Sequence, residues 1–182
     1  EVVYIKDPGV VIVRATGQHL TPTNFIMHAF SNRSFMEEQG GDKPAKRRKT
    51  AQAWMDWPHR FELSSITYAP GKPQIHDNMW NMWRGWGVEP VKGDIGPWRE
   101  LLDFVFRDQK DARRWFERWC AYPLQHPWTK LFTSVMVWGV QHGTGKTLIG
   151  YTLRDIYGKN AVEVKDEDLH GAFNEWAQHR QF

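Results

Sequence analysis

The strongest constraint on this chain is a block of eight residues, Gln141-His142-Gly143-Thr144-Gly145-Lys146-Thr147-Leu148. Upstream, the apolar run Leu131 to Trp138 reads as a buried strand. Downstream, Leu148 to Tyr157 reads as a helix. A strand, a glycine loop ending in Gly-Lys-Thr and a helix together form the context of a phosphate-binding loop. Gly143 and Gly145 admit backbone angles that a Cβ penalises, so successive N–H groups can turn inward as an anion nest. The helix adds its positive N-terminal end at the same spot. On this reading the amides of Gly143, Thr144 and Gly145 line the nest. Lys146 reaches the β/γ-phosphates of ATP, and the Thr147 hydroxyl binds Mg²⁺. One position departs from the strict pattern: Val140 stands where the first glycine belongs, and Gly139 comes one residue too early. The competing reading is a chance Gly-rich turn between strand and helix.

A chain of 182 residues can bury one sizeable core, or hold one domain and part of another. Its single cysteine, Cys120, excludes an internal disulfide and a Cys-based zinc site, and reads as a small core residue. No apolar stretch approaches membrane-spanning length, and a reducing, cytoplasmic setting is the expectation. The net charge of +3 is compatible with nucleic acid without pointing to it. The chain starts at Glu1 without Met, which reads as a piece excised from something longer.

Three segments follow from the local patterns. Residues 1–90 read as an α+β adaptor. Val2 to Ile5 and Val10 to Arg14 form a hairpin around Asp7-Pro8-Gly9. Thr21 or Thr23 caps a short helix through Phe30, Gly40 to Lys49 is a polar loop, and Thr50 caps a helix stopped by Pro58. Leu63 to Tyr68 reads as a strand, Gln74 to His76 as a second, and Trp80 to Gly87 as an irregular packed stretch. Residues 91–130 read as a helical connection. Asp94 caps its first helix and Asp111 its second, in which Trp115, Phe116, Trp119 and Cys120 share a face; Tyr122-Pro123 and His126-Pro127 end it. Residues 131–182 read as the start of an α/β P-loop domain on a parallel sheet, with a further strand at Ala161 to Val164 and a helix from Asp166 onward.

Other residues carry weaker signals. Lys43, Lys46, Arg47, Arg48 and Lys49 place five cations within seven residues. They read as a flexible loop on nucleic-acid phosphates, as a solvated surface loop, or as an import-signal mimic. Trp80, Trp83 and Trp86, with Arg84 between, suit either a stacking platform for single strands or core packing. His142 can touch nucleotide without being catalytic. Asp166, Glu167 and Asp168 suit a helix start better than a metal site.

The stretch Asn81-Met82-Trp83-Arg84-Gly85-Trp86-Gly87-Val88-Glu89-Pro90 resembles a segment that precedes the ATPase domain of phage and plasmid primase-helicases. Ser65-Ile66-Thr67-Tyr68-Ala69-Pro70-Gly71 before it and Gly143-Thr144-Gly145-Lys146-Thr147 after it keep that family's order. Leu169-His170-Gly171-Ala172-Phe173-Asn174 is similar to the segment leading to its Walker B strand. The resemblance covers about Ser65 to Phe182 and implies a superfamily III-type, AAA+-like ATPase that assembles as a ring, usually a hexamer, around DNA, single-stranded DNA being the expected partner. It also implies a Walker B acid, a sensor and an arginine finger, none of which is found here. The expected parent is therefore an ATP-driven replication helicase, truncated in this chain before Walker B, with no catalytic residue present. The alternatives are a P-loop kinase and a non-enzymatic module for DNA binding or oligomerisation.

Overall fold

The computed structural model describes residues 1–41, 43–170 and 180–181. The chain is a mixed α+β protein that divides into two compact units, Glu1–Thr67 with Pro73–Asn81, and Tyr68–Lys72 with Met82–Phe182.

The first unit is built on short, β-branched strands. Strands β1 (Val2–Ile5) and β2 (Val10–Val13) form the expected antiparallel hairpin, with Val3 opposite Ile12 and Tyr4 opposite Val11. Strand β3 (Gln18–Leu20) extends this sheet on one side. Helix α1 (Pro22–Met27) follows. The Thr21 hydroxyl accepts the Asn24 N–H at 3.2 Å, and Pro22 sits in the first turn, where its missing N–H costs nothing. The stretch expected to be a polar loop instead contains β5 (Lys46–Lys49), paired antiparallel with β4 (Ser34–Glu37). Helix α2 (Thr50–Asp56) starts directly from β5, so Thr50 is its first residue rather than its cap.

Phe25 of α1 and Ala51 of α2 pack on the sheet face that carries Val11, and Trp54 meets the Phe25 ring edge-on at 5.4 Å. Strand β6 (Glu62–Leu63) completes the first sheet, running parallel to β1. Strands β7 (Ser65–Thr67), β8 (Ile75–His76) and β9 (Met79–Asn81) form a second small mixed sheet.

The second unit is helical. In α3 (Gly96–Phe106) the Asp94 carboxylate accepts the Gly96 N–H at 2.8 Å, one turn position earlier than a regular cap. Helix α4 (Lys110–Gln125) starts after Gln109, so Asp111 lies inside the first turn, where its charge suits the helix dipole. Tyr122-Pro123 does not end α4. The buried Pro123 ring is accommodated at the loss of one backbone bond, and the helix stops only before His126-Pro127. Helix α5 (Lys146–Tyr157) ends at Gly158, which has a φ of +56°. Leu102, Phe116, Cys120, Ile149 and Leu153 close a core among α3, α4 and α5.

Of the stretch Trp80 to Gly87 expected to be irregular, Trp80 and Asn81 belong to strand β9; Met82 to Gly87 is irregular and packs on the far end of α5. Trp86 stands edge-on to Tyr157 at 5.4 Å and to Trp83 at 6.0 Å. The Gly87 N–H donates to the Ile156 carbonyl at 2.8 Å. Asn160, 2% exposed, donates to the carbonyls of Gly85 and Tyr157 and accepts the Tyr68 hydroxyl at 3.1 Å. Burial pushes the Tyr68 hydroxyl up to about 12, so it remains a donor throughout the physiological range.

Two expected strands are not sheet strands. Leu131 to Trp138 and Ala161 to Val164 pair with no strand among the described residues. A strand of a parallel sheet is stabilised by neighbours on its edges and by cover on both faces, and among the described residues neither segment has a strand on its edges. Val135 alone reaches the helical core, while Phe132, Met136, Trp138 and Val140 are 80–98% exposed. Of the helix expected from Asp166 onward, α6 (Asp166–Leu169) is described and residues 171–179 are not. Of the stretch Leu169 to Asn174, expected to resemble the segment leading to a Walker B strand, the part from Gly171 on lies outside the described residues.

The tightest contact in the second unit tests the packing directly. A Cβ on Gly87 would sit 2.2 Å from the Asp155 carbonyl oxygen and 2.6 Å from Gly158 Cα. Gly87→Ala is expected to destabilise the second unit by about 2–3 kcal/mol in urea unfolding. An unchanged midpoint would refute the close approach.

Candidate anion-binding site

The geometry of the glycine loop follows from its two left-handed residues. Gly143 has a φ of +71° and Gly145 a φ of +84°, angles a side chain resists. Gly145 is constrained twice, because a Cβ there would also lie 2.5 Å from the Leu101 side chain of α3. The loop therefore leans against α3, and α5 begins immediately after it with Lys146. The Lys146 ammonium donates to the Gln141 carbonyl at 2.9 Å and the Thr144 hydroxyl at 2.8 Å, folding the side chain back over its own loop. Gly139, the misplaced glycine of the motif, is beside that ammonium: a Cβ there would stand 3.5 Å from Nζ. An anion at this place would meet the start of a twelve-residue helix, a lysine and a loop with two left-handed glycines.

Gln141, Thr144 and Lys146 line a cleft of about 520 Å³ together with Phe106 and Arg107 from the end of α3. That volume lies within the range of small-ligand sites. Thr147 does not share the cleft. It is exposed and lines a neighbouring depression with Arg154 and Glu163. Thus Thr144 and Lys146 line the cleft, Gly143 and Gly145 shape the loop without lining it, and Thr147, the next residue of α5, lines the other depression. The residues suit a phosphate group. For a divalent cation they offer less, since the described residues contain no cluster of three His, Cys, Asp or Glu side chains. Asp168 spends its carboxylate on the Lys165 N–H at 2.9 Å, as a helix start does.

Nothing in the sequence pattern points to the residues at the end of α3. Their approach to the loop is set by the packing of α3 against α5, to which Leu102 and Ile149 contribute, and not by any local motif.

The five cations of the basic segment are not equivalent. Arg48 is held by Glu37 and by Asp56 at 2.5 Å. Arg47 donates to the neutral Ser34 hydroxyl at 2.7 Å and keeps its charge, and Lys49 reaches the Met27 sulfur at 3.9 Å. Lys43, Lys46, Arg47 and Lys49 are all exposed; Phe35 of β4, also exposed, pairs across the ladder with Arg48. Burial leaves Trp80 no face on which a base could stack. Trp80 is 1% exposed in the first unit, and Trp83 and Trp86 are half-buried in the second. Cys120 is buried, and burial pushes its thiol up to about 12. No helix among the described residues is long and apolar enough to cross a membrane.

No protein-family model matches the chain. Comparison with curated proteins and with solved structures likewise returns no significant match.

The Gln52 amide, then Arg48, holds the Asp56 carboxyl below its usual range. A depressed carboxylate contributes stability above its unfolded value, near 3.9, and loses it as pH falls through the folded value. The stability gap between the wild type and Arg48→Ala is therefore expected to stay constant above about pH 4 and to close below it. A gap that persists at pH 2 in thermal unfolding would show that Arg48 acts through packing alone.

Proposed function

We propose that this chain is part of an ATP-dependent DNA helicase or primase-helicase serving replication of a phage or plasmid. Its second unit carries the nucleotide-binding loop. The observation that supports this most is the loop itself: two left-handed glycines, Lys146 folded over them and α5 starting at the same point. ATP phosphates would take the amides of Gly143, Thr144 and Gly145 and would draw Lys146 away from the Gln141 and Thr144 oxygens. That exchange replaces two neutral acceptors with charged ones and favours the bound state. Mg²⁺ would bind the Thr147 hydroxyl, which is exposed at the start of α5.

In the proposed parent the motor assembles as a hexameric ring around single-stranded DNA. Lys43, Lys46, Arg47 and Lys49, all exposed, suit contacts to DNA phosphates.

Lys146→Ala is expected to abolish ATP binding in calorimetry while leaving the unfolding midpoint within about 0.5 kcal/mol of the wild type. Equal ATP affinity in the variant would remove the nucleotide assignment. Changing Lys46 and Lys49 together to Ala is expected to lower single-stranded DNA affinity and to reduce the slope of log affinity against log salt by about 1.4. Fluorescence anisotropy across a salt series reads both quantities, and an unaltered slope would take the hairpin out of the DNA interface.

A further inference from the structure

Arg107 occupies a backbone conformation that ordinary sequences give to glycine. Its φ of +45° and ψ of −117° place it at the first corner of a turn of the II′ type. The turn is closed by the Gln109 N–H donating to the Phe106 carbonyl at 2.9 Å. Gly, Asn and Asp dominate such corners, because a longer side chain there meets the preceding backbone. An arginine at this position is held under strain, and strained residues concentrate where a side chain must be aimed.

Arg107 borders the same cleft as the loop. It lines that cavity together with Lys146, Thr144 and Gln141. Among the described residues its guanidinium forms no ion pair or side-chain hydrogen bond. In contrast, Arg113, in the first turn of α4, is bound by Asp103 and lies 3.6 Å from Glu117. Two cations therefore border one cleft of small-ligand size with no carboxylate among its lining residues. Such a cavity favours a ligand with more than one negative charge.

The geometry points to Arg107 as a second cation for the polyphosphate of the nucleotide held at Lys146, an inference that rests on the nucleotide reading above. Lys146 serves as a point charge within the loop, and Arg107 supplies a planar fork that can span two phosphate oxygens. The strain at the end of α3 is then the cost of directing that fork at the loop.

The variant Arg107→Gly separates function from stability. It removes the charge and, at the same time, gives the corner the residue its angles favour. In the full chain it is expected to raise Tm by roughly 2–4 °C and to weaken ATP binding about tenfold or more in calorimetry. Arg107→Lys should lie between the variant and the wild type. Inorganic triphosphate in place of ATP should show the same ordering, since the contact is to phosphate. Wild-type ATP affinity in Arg107→Gly, or a fall in Tm that marks Arg107 as a structural residue, overturns the inference. If Lys146→Ala abolishes binding and Arg107→Gly does not, only the Arg107 inference fails. If the wild-type chain binds neither ATP nor triphosphate, the nucleotide reading fails and takes this one with it.

Discussion

The apolar contact among α3, α4 and α5 sets the position of everything that could carry chemistry in the second unit. Ile149 and Leu153 are buried against Leu102, Phe116 and Cys120, and each such side chain contributes about 1.5–3 kcal/mol when fully covered. The glycine loop has few bonds of its own beyond those of Lys146. Its place is set by the helix that follows it and by Leu101, which fills the space a Cβ on Gly145 would need. At the other end of α5, Gly87 and Asn160 hold the chain against Ile156 and Tyr157. The helix is thus gripped along its length, and its N-terminus faces the cleft as a consequence.

The two halves of the chain differ in how much of this could be read from sequence. The Val-rich hairpin at the start was legible because β-branched runs around Asp7-Pro8-Gly9 leave few alternatives. Helices α3, α4 and α5 were legible from apolar spacing, since each presents one stripe to a shared core. Their ends were less so. Pro123 is tolerated inside α4 because burying its ring offsets one lost bond, a balance that no local rule reveals. The strand β5 was hidden for a different reason. Lys-Arg-Arg-Lys lacks strand-forming side chains, and its pairing with β4 draws on Arg48 reaching Glu37 and Asp56 across the fold.

The candidate site divides along the same line. Local chemistry gave the left-handed glycines and the position of Lys146 at the head of α5. Tertiary packing decided the rest. It put Thr147 on a separate depression, brought the end of α3 to the loop, and gave the tryptophans to packing within each unit. The apolar run 131–138 shows the limit of pattern reading most plainly. Its composition is that of a buried strand, yet composition cannot supply the neighbours that bury it.

Cys120 has a practical consequence. It is the single thiol of the sequence and is buried against α3 and α5. With its pKa pushed up to about 12, only about one molecule in 10⁵ carries the thiolate at neutral pH. Alkylating reagents act on the thiolate, so the native cysteine should stay silent while the fold is intact. A cysteine introduced on an exposed position can then be labelled with a fluorophore without first removing Cys120, and reaction at Cys120 itself becomes a chemical clock for the opening of the helical core.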